Sequence, residues 1–315
     1  MIWQVVIGLA LMLAGGEGLV RGAVAVAARL GVSPLVIGVT LIGFGTSAPE
    51  LATCIDAALI GAPGLAVGNV IGSSIANVLL ILAAGALIHP IASQPRALRR
   101  DGPVLVVSAL ICAAVVMSGH IGRWLGAALL LGLIGYLILT TLDDRRRTEG
   151  KGGAEDAGNE KSPNTLPFDL ALVVIGLGAV LFGADLLVKG AIDLAGRLGV
   201  SDALIGLTLV AVGTSLPELS TAIIASLKRQ GEIAFGNVIG SNIFNVLGIF
   251  GATALVKPID VPAEVVGIDI FVMLGATAAL LVFAVTNWRI SRREGAVLLI
   301  GYIAYLGLRA GAVGA

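Results

Sequence analysis

Two hexapeptides of nearly the same composition, GTSAPE at 45–50 and GTSLPE at 213–218, set Glu50 and Glu218 beside Pro49 and Pro217 in apolar surroundings. Thr46 and Glu50 are four residues apart and share a helical face, as do Thr214 and Glu218. Proline lacks an N–H and its ring collides with the carbonyl four residues back. Each segment should therefore break there, freeing carbonyls at Gly43–Gly45 and at Ala211–Gly213. Hydroxyl, carboxylate and loose carbonyl oxygens then face one space. An all-oxygen set suits a hard cation such as Ca²⁺, whereas the His and Cys ligands of softer metals are missing from these segments.

A second polar stripe follows each hexapeptide, GNVIGSSIANVL at 68–79 and GNVIGSNIFNVL at 236–247. Asn69, Ser73 and Asn77 repeat every four residues, and so do Asn237, Ser241 and Asn245. Small and amide side chains at this spacing also serve as helix-packing glue, a role that fits Gly68, Gly72, Gly236 and Gly240.

The elements that must hold these residues lie in a membrane. Of 315 residues, 57% are hydrophobic and 13% charged, with mean hydropathy +1.01, far from soluble composition. Apolar stretches long enough to cross a bilayer as helices fall near 2–20, 33–60, 65–88, 103–119, 123–142, 168–188, 200–227, 233–256, 264–286 and 294–311. The alternating pattern of a membrane β-barrel is absent, so the expected fold is all-α, an integral membrane protein of ten transmembrane helices. The first span carries no basic segment before it and no cleavage site after it, and is expected to be retained. Cys54 and Cys112 fall inside spans without metal-type spacing and read as packing residues. With loops numbered along the chain, the odd ones carry 15 of the 20 Lys and Arg residues. By the positive-inside rule the odd loops are cytoplasmic, and both termini lie outside the plasma (inner) membrane.

The chain is internally duplicated. At an offset of 168 residues, positions 13–79 match 181–247 at 37 of 67 places without a gap. Five spans per copy is an odd number, so the second copy should enter the membrane inverted, as in secondary transporters whose sites lie at the midplane between repeats. Residues 1–142 form the first five-helix repeat, 168–315 the second, and the polar stretch 143–167 a cytoplasmic linker whose mixed charge, Gly and Pro suggest disorder.

A buried ionised carboxylate costs at least about 2.5–3.5 kcal/mol in a membrane. Neither Glu has a Lys or Arg in its own broken segment, so two facing carboxylates require bound cations or protons. GTSxPE followed by GNVIGSxIxN, twice and inverted across ten spans, resembles the alpha repeats of the sodium/calcium exchangers in the cation/calcium exchanger superfamily. That resemblance implies antiport by alternating access, with Thr46, Glu50, Thr214 and Glu218 holding Ca²⁺. It implies that Ser47, Ser73, Asn77, Ser215, Ser241 and Asn245, with the carbonyls of Gly43 and Ala211, complete neighbouring Na⁺ sites, and that the first and sixth spans slide to switch access. Some relatives carry Asp where this chain has Asn245, so the centre has two carboxylates rather than three. Both Na⁺ and H⁺ are open as counterions, a Glu being able to exchange its cation for a proton.

Outside this centre, Glu17 and Asp185 sit near span ends beside Arg21 and Lys189, which favours local pairing. Asp56 aligns with Ile224 and reads as a boundary residue, and His89 and His120 fall at membrane edges. No HExxH or GxSxG motif supports an enzyme. A cation channel also uses carboxylates for selectivity, but inverted halves with broken helices favour an exchanger. The expected partners are inorganic cations and the lipid bilayer, with no nucleic acid, and no cofactor beyond the transported Ca²⁺ and Na⁺ or H⁺.

Overall fold

A computed structural model describes residues 2–150, 165–197, 213–261, 267–286 and 288–313. They form helices α1 (Ile2–Leu30), α2 (Pro34–Thr46), α3 (Ala48–Leu59), α4 (Pro63–Ile88), α5 (Pro95–Ser118) and α6 (Arg123–Gly150). Then follow α7 (Leu166–Arg197), α8 (Leu216–Leu227), α9 (Gly231–Val256), α10 (Ile268–Val285) and α11 (Arg292–Val313). Two antiparallel two-residue ladders tie loops together: β1 (Ile91–Ala92) pairs with β4 (Arg289–Ile290), and β2 (His120–Ile121) with β3 (Ile259–Asp260).

The protein is a helical membrane protein. Among the described residues seven helices are long and apolar enough to cross a bilayer, or eight if α2 and α3, which meet at a bend of 42°, count as one broken span. Of the ten expected spans, 200–227 lies outside the described residues over 200–212, and its described part is the short apolar helix α8 with the turn before it. The stretch 294–311 is helical, in α11, but is not among those seven.

Burial ranks the helices. In α4 and α9, 72% and 83% of the apolar window is inside the protein, against 28% in α1, α6 and α7. The helices carrying the polar stripes are therefore central. The outer helices turn Val6, Leu9, Leu131, Ile138, Val174 and Phe182 outward, as a lipid-facing surface should.

α1 and α7 touch backbone to backbone. A Cβ built on Gly8, Gly15 or Gly22 would lie 2.6–2.8 Å from the carbonyl oxygen of Gly183, Gly176 or Asp169, respectively. The numbers rise along α1 while they fall along α7, so the two helices run antiparallel. Small residues every seventh position permit this approach in lipid, where association depends on packing rather than on a hydrophobic driving force. α9 meets α2 in the same manner, because a Cβ at Gly236 would lie 2.5 Å from the Leu35 carbonyl oxygen and one at Gly240 would collide with that of Val39.

Polar residues expected at membrane edges find local partners. Glu17 pairs with Arg21 at 2.7 Å and Lys228 at 3.0 Å, and Asp185 with Lys189 at 2.8 Å. Asp56 is exposed, and both cysteines are buried and free. One boundary differs from expectation. α6 does not end at 142 but runs to Gly150, into the stretch read as disordered. Asp143 reaches Arg100 at 3.6 Å, and Asp144 accepts from the backbone N–H of Ser33 and from its hydroxyl at 3.2 Å. These partners satisfy the first polar turn beyond the apolar stretch. Residues 151–164 lie outside the described residues.

Candidate cation-binding site

The first hexapeptide breaks its span as its proline requires. α2 ends at Thr46, Ser47 adopts φ −84° and ψ 9°, and α3 starts with Pro49 in its first turn, where a missing N–H costs nothing. Within α2 the segment Gly38–Ile42 is π-helical, and α4 and α9 turn π-helical at Asn77–Leu82 and Asn245–Phe250. Such π segments are frequent at functional sites; here two of them begin on the amides of the polar stripes. In the second hexapeptide Ser215 holds the equivalent position, φ −90° and ψ 6°, before α8.

Each broken turn reaches across to the other copy of the motif. Ser47 Oγ donates to Glu218 Oε1 at 2.8 Å, and Ser215 Oγ to Glu50 Oε1 at 3.3 Å. The same serines meet the polar stripes, Ser47 with Ser241 at 3.2 Å and Ser215 with Ser73 at 3.5 Å. Every residue in the first set of contacts is 168 positions from its counterpart in the second. The Gly43 carbonyl accepts from Ser47 N–H at 3.2 Å and Ser241 Oγ at 3.3 Å. Thr46 Oγ1 donates to the Ile42 carbonyl at 3.0 Å, which leaves its lone pairs for another partner.

The centre is buried and rich in acceptors that no described group satisfies. Glu50 is 1% exposed and Glu218 2%. Ten buried side-chain oxygens lack a hydrogen-bond partner among the described residues, and five belong to sequence-predicted site residues: Glu50 Oε2, Glu218 Oε2, Thr214 Oγ1, Asn77 Oδ1 and Asn245 Oδ1. An unpaired buried acceptor is expensive, so their concentration here points to cations as the missing partners. No described ion pair involves either Glu, and each carboxylate lies within electrostatic reach of the other. No cluster of three or more His, Cys, Asp or Glu side chains suited to a metal occurs among the described residues. The remaining oxygens are hydroxyl, amide and carbonyl, as hard cations accept.

Of the sequence-predicted residues, Thr46, Ser47, Glu50, Ser73, Asn77, Ser215, Glu218, Ser241 and Asn245 are buried. Gly43 is buried too, Thr214 is partly buried, and Ala211 lies outside the described residues. Asn69 and Asn237 diverge: Asn237 is fully buried between Thr46 Oγ1 and the Glu218 carbonyl, whereas Asn69 donates to Cys54 Sγ at 3.3 Å. Sequence reasoning missed Ser74 and Asn242, which accept from the amide nitrogens of Asn245 at 3.3 Å and Asn77 at 3.0 Å. The signal was available, since both positions are polar and stand 168 apart, but one is Ser and the other Asn, so an identity search passes over them.

The family model described as "Sodium/calcium exchanger protein" matches residues 1–142 and 168–311. The chain belongs to the sodium/calcium exchanger family. This exchanger is 37% identical over 305 residues to the putative antiporter CaxA of Alkalimonas amylolytica, with 96% of each chain covered. It is 34% identical over 335 residues to the sodium/calcium exchanger MaX1 of Methanosarcina acetivorans, with 95% of each covered. Its structure superposes on that of the sodium-calcium exchanger NCX_Mj soaked with Na⁺ and Sr²⁺, with TM-score 0.84, 34% identity and 97% of each chain covered. The exchanger is thus an integral membrane antiporter of the family that handles Na⁺ and Ca²⁺.

Proposed function

We propose that the protein exchanges Ca²⁺ for Na⁺ at a single midplane site built on Glu50 and Glu218, by alternating access. The observation that carries this reading is the pair of buried carboxylates, each with one oxygen held by a serine of the other motif and one without a hydrogen-bond partner among the described residues. Two carboxylates balance one Ca²⁺. Thr46, Glu50, Thr214 and Glu218 hold it, and loss of its hydration is offset by oxygens already freed of competing donors.

Na⁺ competes for the same oxygens. Ser47 and Ser241 with the Gly43 carbonyl form one flanking position, Ser215 and Ser73 the other, and Asn77 and Asn245 present amide oxygens beside them. With the Glu pair that makes three places for a small monovalent ion. Three Na⁺ against two carboxylates leave one positive charge, so exchange against one Ca²⁺ is electrogenic.

The ten-span arrangement as two inverted repeats, 1–142 and 168–315 about a cytoplasmic linker at 143–167 with both termini outside, is part of this reading. It is supported by the antiparallel packing of α1 on α7, which the 168 offset makes equivalent helices, and by the cross-motif contacts that recur at that offset. Their close glycine contact also suits α1 and α7 as the pair that slides to switch access.

Ca²⁺ flux in proteoliposomes tests the function. An outward Na⁺ gradient should drive Ca²⁺ uptake, and uptake driven only by a proton gradient would make the protein a Ca²⁺/H⁺ antiporter instead. Flux indifferent to the opposing ion would identify a channel.

A further inference from the structure

An asparagine ligand is useful to a cation in only one orientation. Its carbonyl oxygen must face the ion and its NH₂ must face elsewhere, because two N–H donors aimed at a cation repel it. At both stripes something enforces that choice. Asn77 Nδ2 donates to Asn242 Oδ1 at 3.0 Å, and Asn245 Nδ2 donates to Ser74 Oγ at 3.3 Å. Ser74 spends its own proton on the Val70 carbonyl at 2.7 Å, so toward Asn245 it is an acceptor. The oxygens of both amides are left buried without a hydrogen-bond partner among the described residues, one helical turn beyond Ser73 and Ser241.

Ser74 and Asn242 are themselves nearly inaccessible, 5% and 4% exposed. They line a cavity with Leu105, Val246, Met273 and Thr277, with room for about one water. Each therefore acts on the cation site only through the amide it holds.

We propose that Ser74 and Asn242 are positioning residues that lock the amides of Asn245 and Asn77 with oxygen inward and so set the affinity for Na⁺ rather than for Ca²⁺. The proposal rests on the Na⁺/Ca²⁺ reading above, in which Ca²⁺ is held by the Thr and Glu side chains and the amides serve Na⁺. The two positions are related by the 168 offset yet differ in residue type. What they share is an acceptor at the same place, which is the property the lock needs.

The test compares Ser74→Ala, Asn242→Ala and the exchanged double variant Ser74→Asn with Asn242→Ser, in proteoliposomes and in detergent. In each alanine variant one amide loses its tether, and the Na⁺ concentration for half-maximal Ca²⁺ exchange should rise about tenfold, the size of one hydrogen bond's net worth. The Ca²⁺ half-saturation should stay within about twofold. In detergent, stabilisation against heating by Na⁺ should fall in parallel, while that by Ca²⁺ persists. The exchanged variant restores an acceptor opposite each amide and should recover Na⁺ affinity. Equal losses for Na⁺ and Ca²⁺, an unchanged Na⁺ dependence, or no recovery in the exchanged variant would overturn the proposal. Absence of Na⁺-driven Ca²⁺ movement in the unmodified protein would instead overturn the reading beneath it. Should an alanine variant fail to fold, Asn242→Ser keeps an acceptor and is expected to retain Na⁺ affinity, whereas Asn242→Leu is expected to lose it.

Discussion

Glu218→Gln isolates the charge from the shape of the centre. The glutamine keeps the volume and one oxygen, so the Ser47 hydroxyl at 2.8 Å retains its acceptor and the turn between α2 and α3 stays fastened. What changes is Oε2, which has no hydrogen-bond partner among the described residues and becomes an NH₂ aimed at the proposed cation position. With 2% exposure, solvent cannot screen the loss. Removing one member of a buried charge pair costs about 3–5 kcal/mol, so Ca²⁺ affinity should fall by roughly two to nearly four orders of magnitude. The ion-free protein should respond oppositely. Two buried carboxylates within reach of one another and without a basic partner among the described residues repel or must hold a proton, and neutralising one removes that cost. Thermal unfolding in detergent without Ca²⁺ should therefore show an equal or higher midpoint, while the upward shift on adding Ca²⁺ disappears. Radiolabelled Ca²⁺ uptake under a Na⁺ gradient should be lost. A variant that still exchanges Ca²⁺, or that is less stable without ions, would refute the reasoning, the first by showing that Glu218 is no ligand and the second by showing that its charge is paired.

Gly176→Val places a Cβ 2.5 Å from the Leu19 nitrogen and 2.7 Å from the Gly15 carbonyl oxygen. α1 and α7 must separate, at an overpacking cost of about 1–3 kcal/mol, and exchange rate should fall with little change in Ca²⁺ binding; normal transport would show that their close contact is dispensable. Asp144→Ala removes the acceptor of the Ser33 N–H and hydroxyl at the start of α2. Charged hydrogen bonds of this kind are worth about 2 kcal/mol, so the unfolding midpoint should drop while Na⁺ and Ca²⁺ affinities hold, as titrations on the folded protein would check. Exchange of three Na⁺ for one Ca²⁺ should follow an imposed potential, 100 mV displacing the equilibrium by about 2.3 kcal/mol, or roughly 50-fold in the Ca²⁺ ratio. A ratio indifferent to potential would reduce the stoichiometry to two Na⁺.

The buried polar cluster proposed as the cation site is legible because membrane composition makes polarity conspicuous. A Glu or Asn among leucines has few reasons to be there, and its reappearance 168 residues later removes coincidence. The helix break was equally readable, since Pro49 acts through covalent geometry that no tertiary contact can undo. Orientation within the site was less so. That Asn77 shows its oxygen and hides its nitrogen depends on Asn242, 165 residues away, and nothing local to GSSIANVL announces it. The seven-residue glycine spacing of α1 and α7 is written in the sequence, but its meaning requires knowing which two helices meet. The continuation of α6 beyond the apolar stretch is hidden for a related reason. DDRRR reads as solvated until Arg100 and Ser33 are seen to stand opposite its two aspartates.

The crossed contacts link binding to conformation within the proposed reading. Had Ser47 bonded to Glu50 and Ser215 to Glu218, each motif would be a self-contained half-site, indifferent to the position of the other. Instead each carboxylate is held by the serine of the opposite copy, at 2.8 Å and 3.3 Å. A cation drawing on both Glu side chains therefore also fixes the relative placement of the α2–α3 break and the start of α8. Its departure leaves two buried carboxylates that repel each other until protons replace it, with no cation on the described side chains to do so. The empty centre is thus the unstable one, and movement of outer helices past the central pair is favoured only when ions occupy it. Obligatory exchange then needs no separate gate, because the repulsion between Glu50 and Glu218 opposes return without cargo. Glu50→Gln with Glu218→Gln should consequently lower the barrier for the empty protein to change access while abolishing ion binding. Accessibility of single cysteines placed on the two faces of α4 and α9, measured without Na⁺ or Ca²⁺, would report it: exposure to both sides is expected in the double variant, and one-sided labelling identical to the unmodified protein would show that something other than carboxylate repulsion holds the empty state.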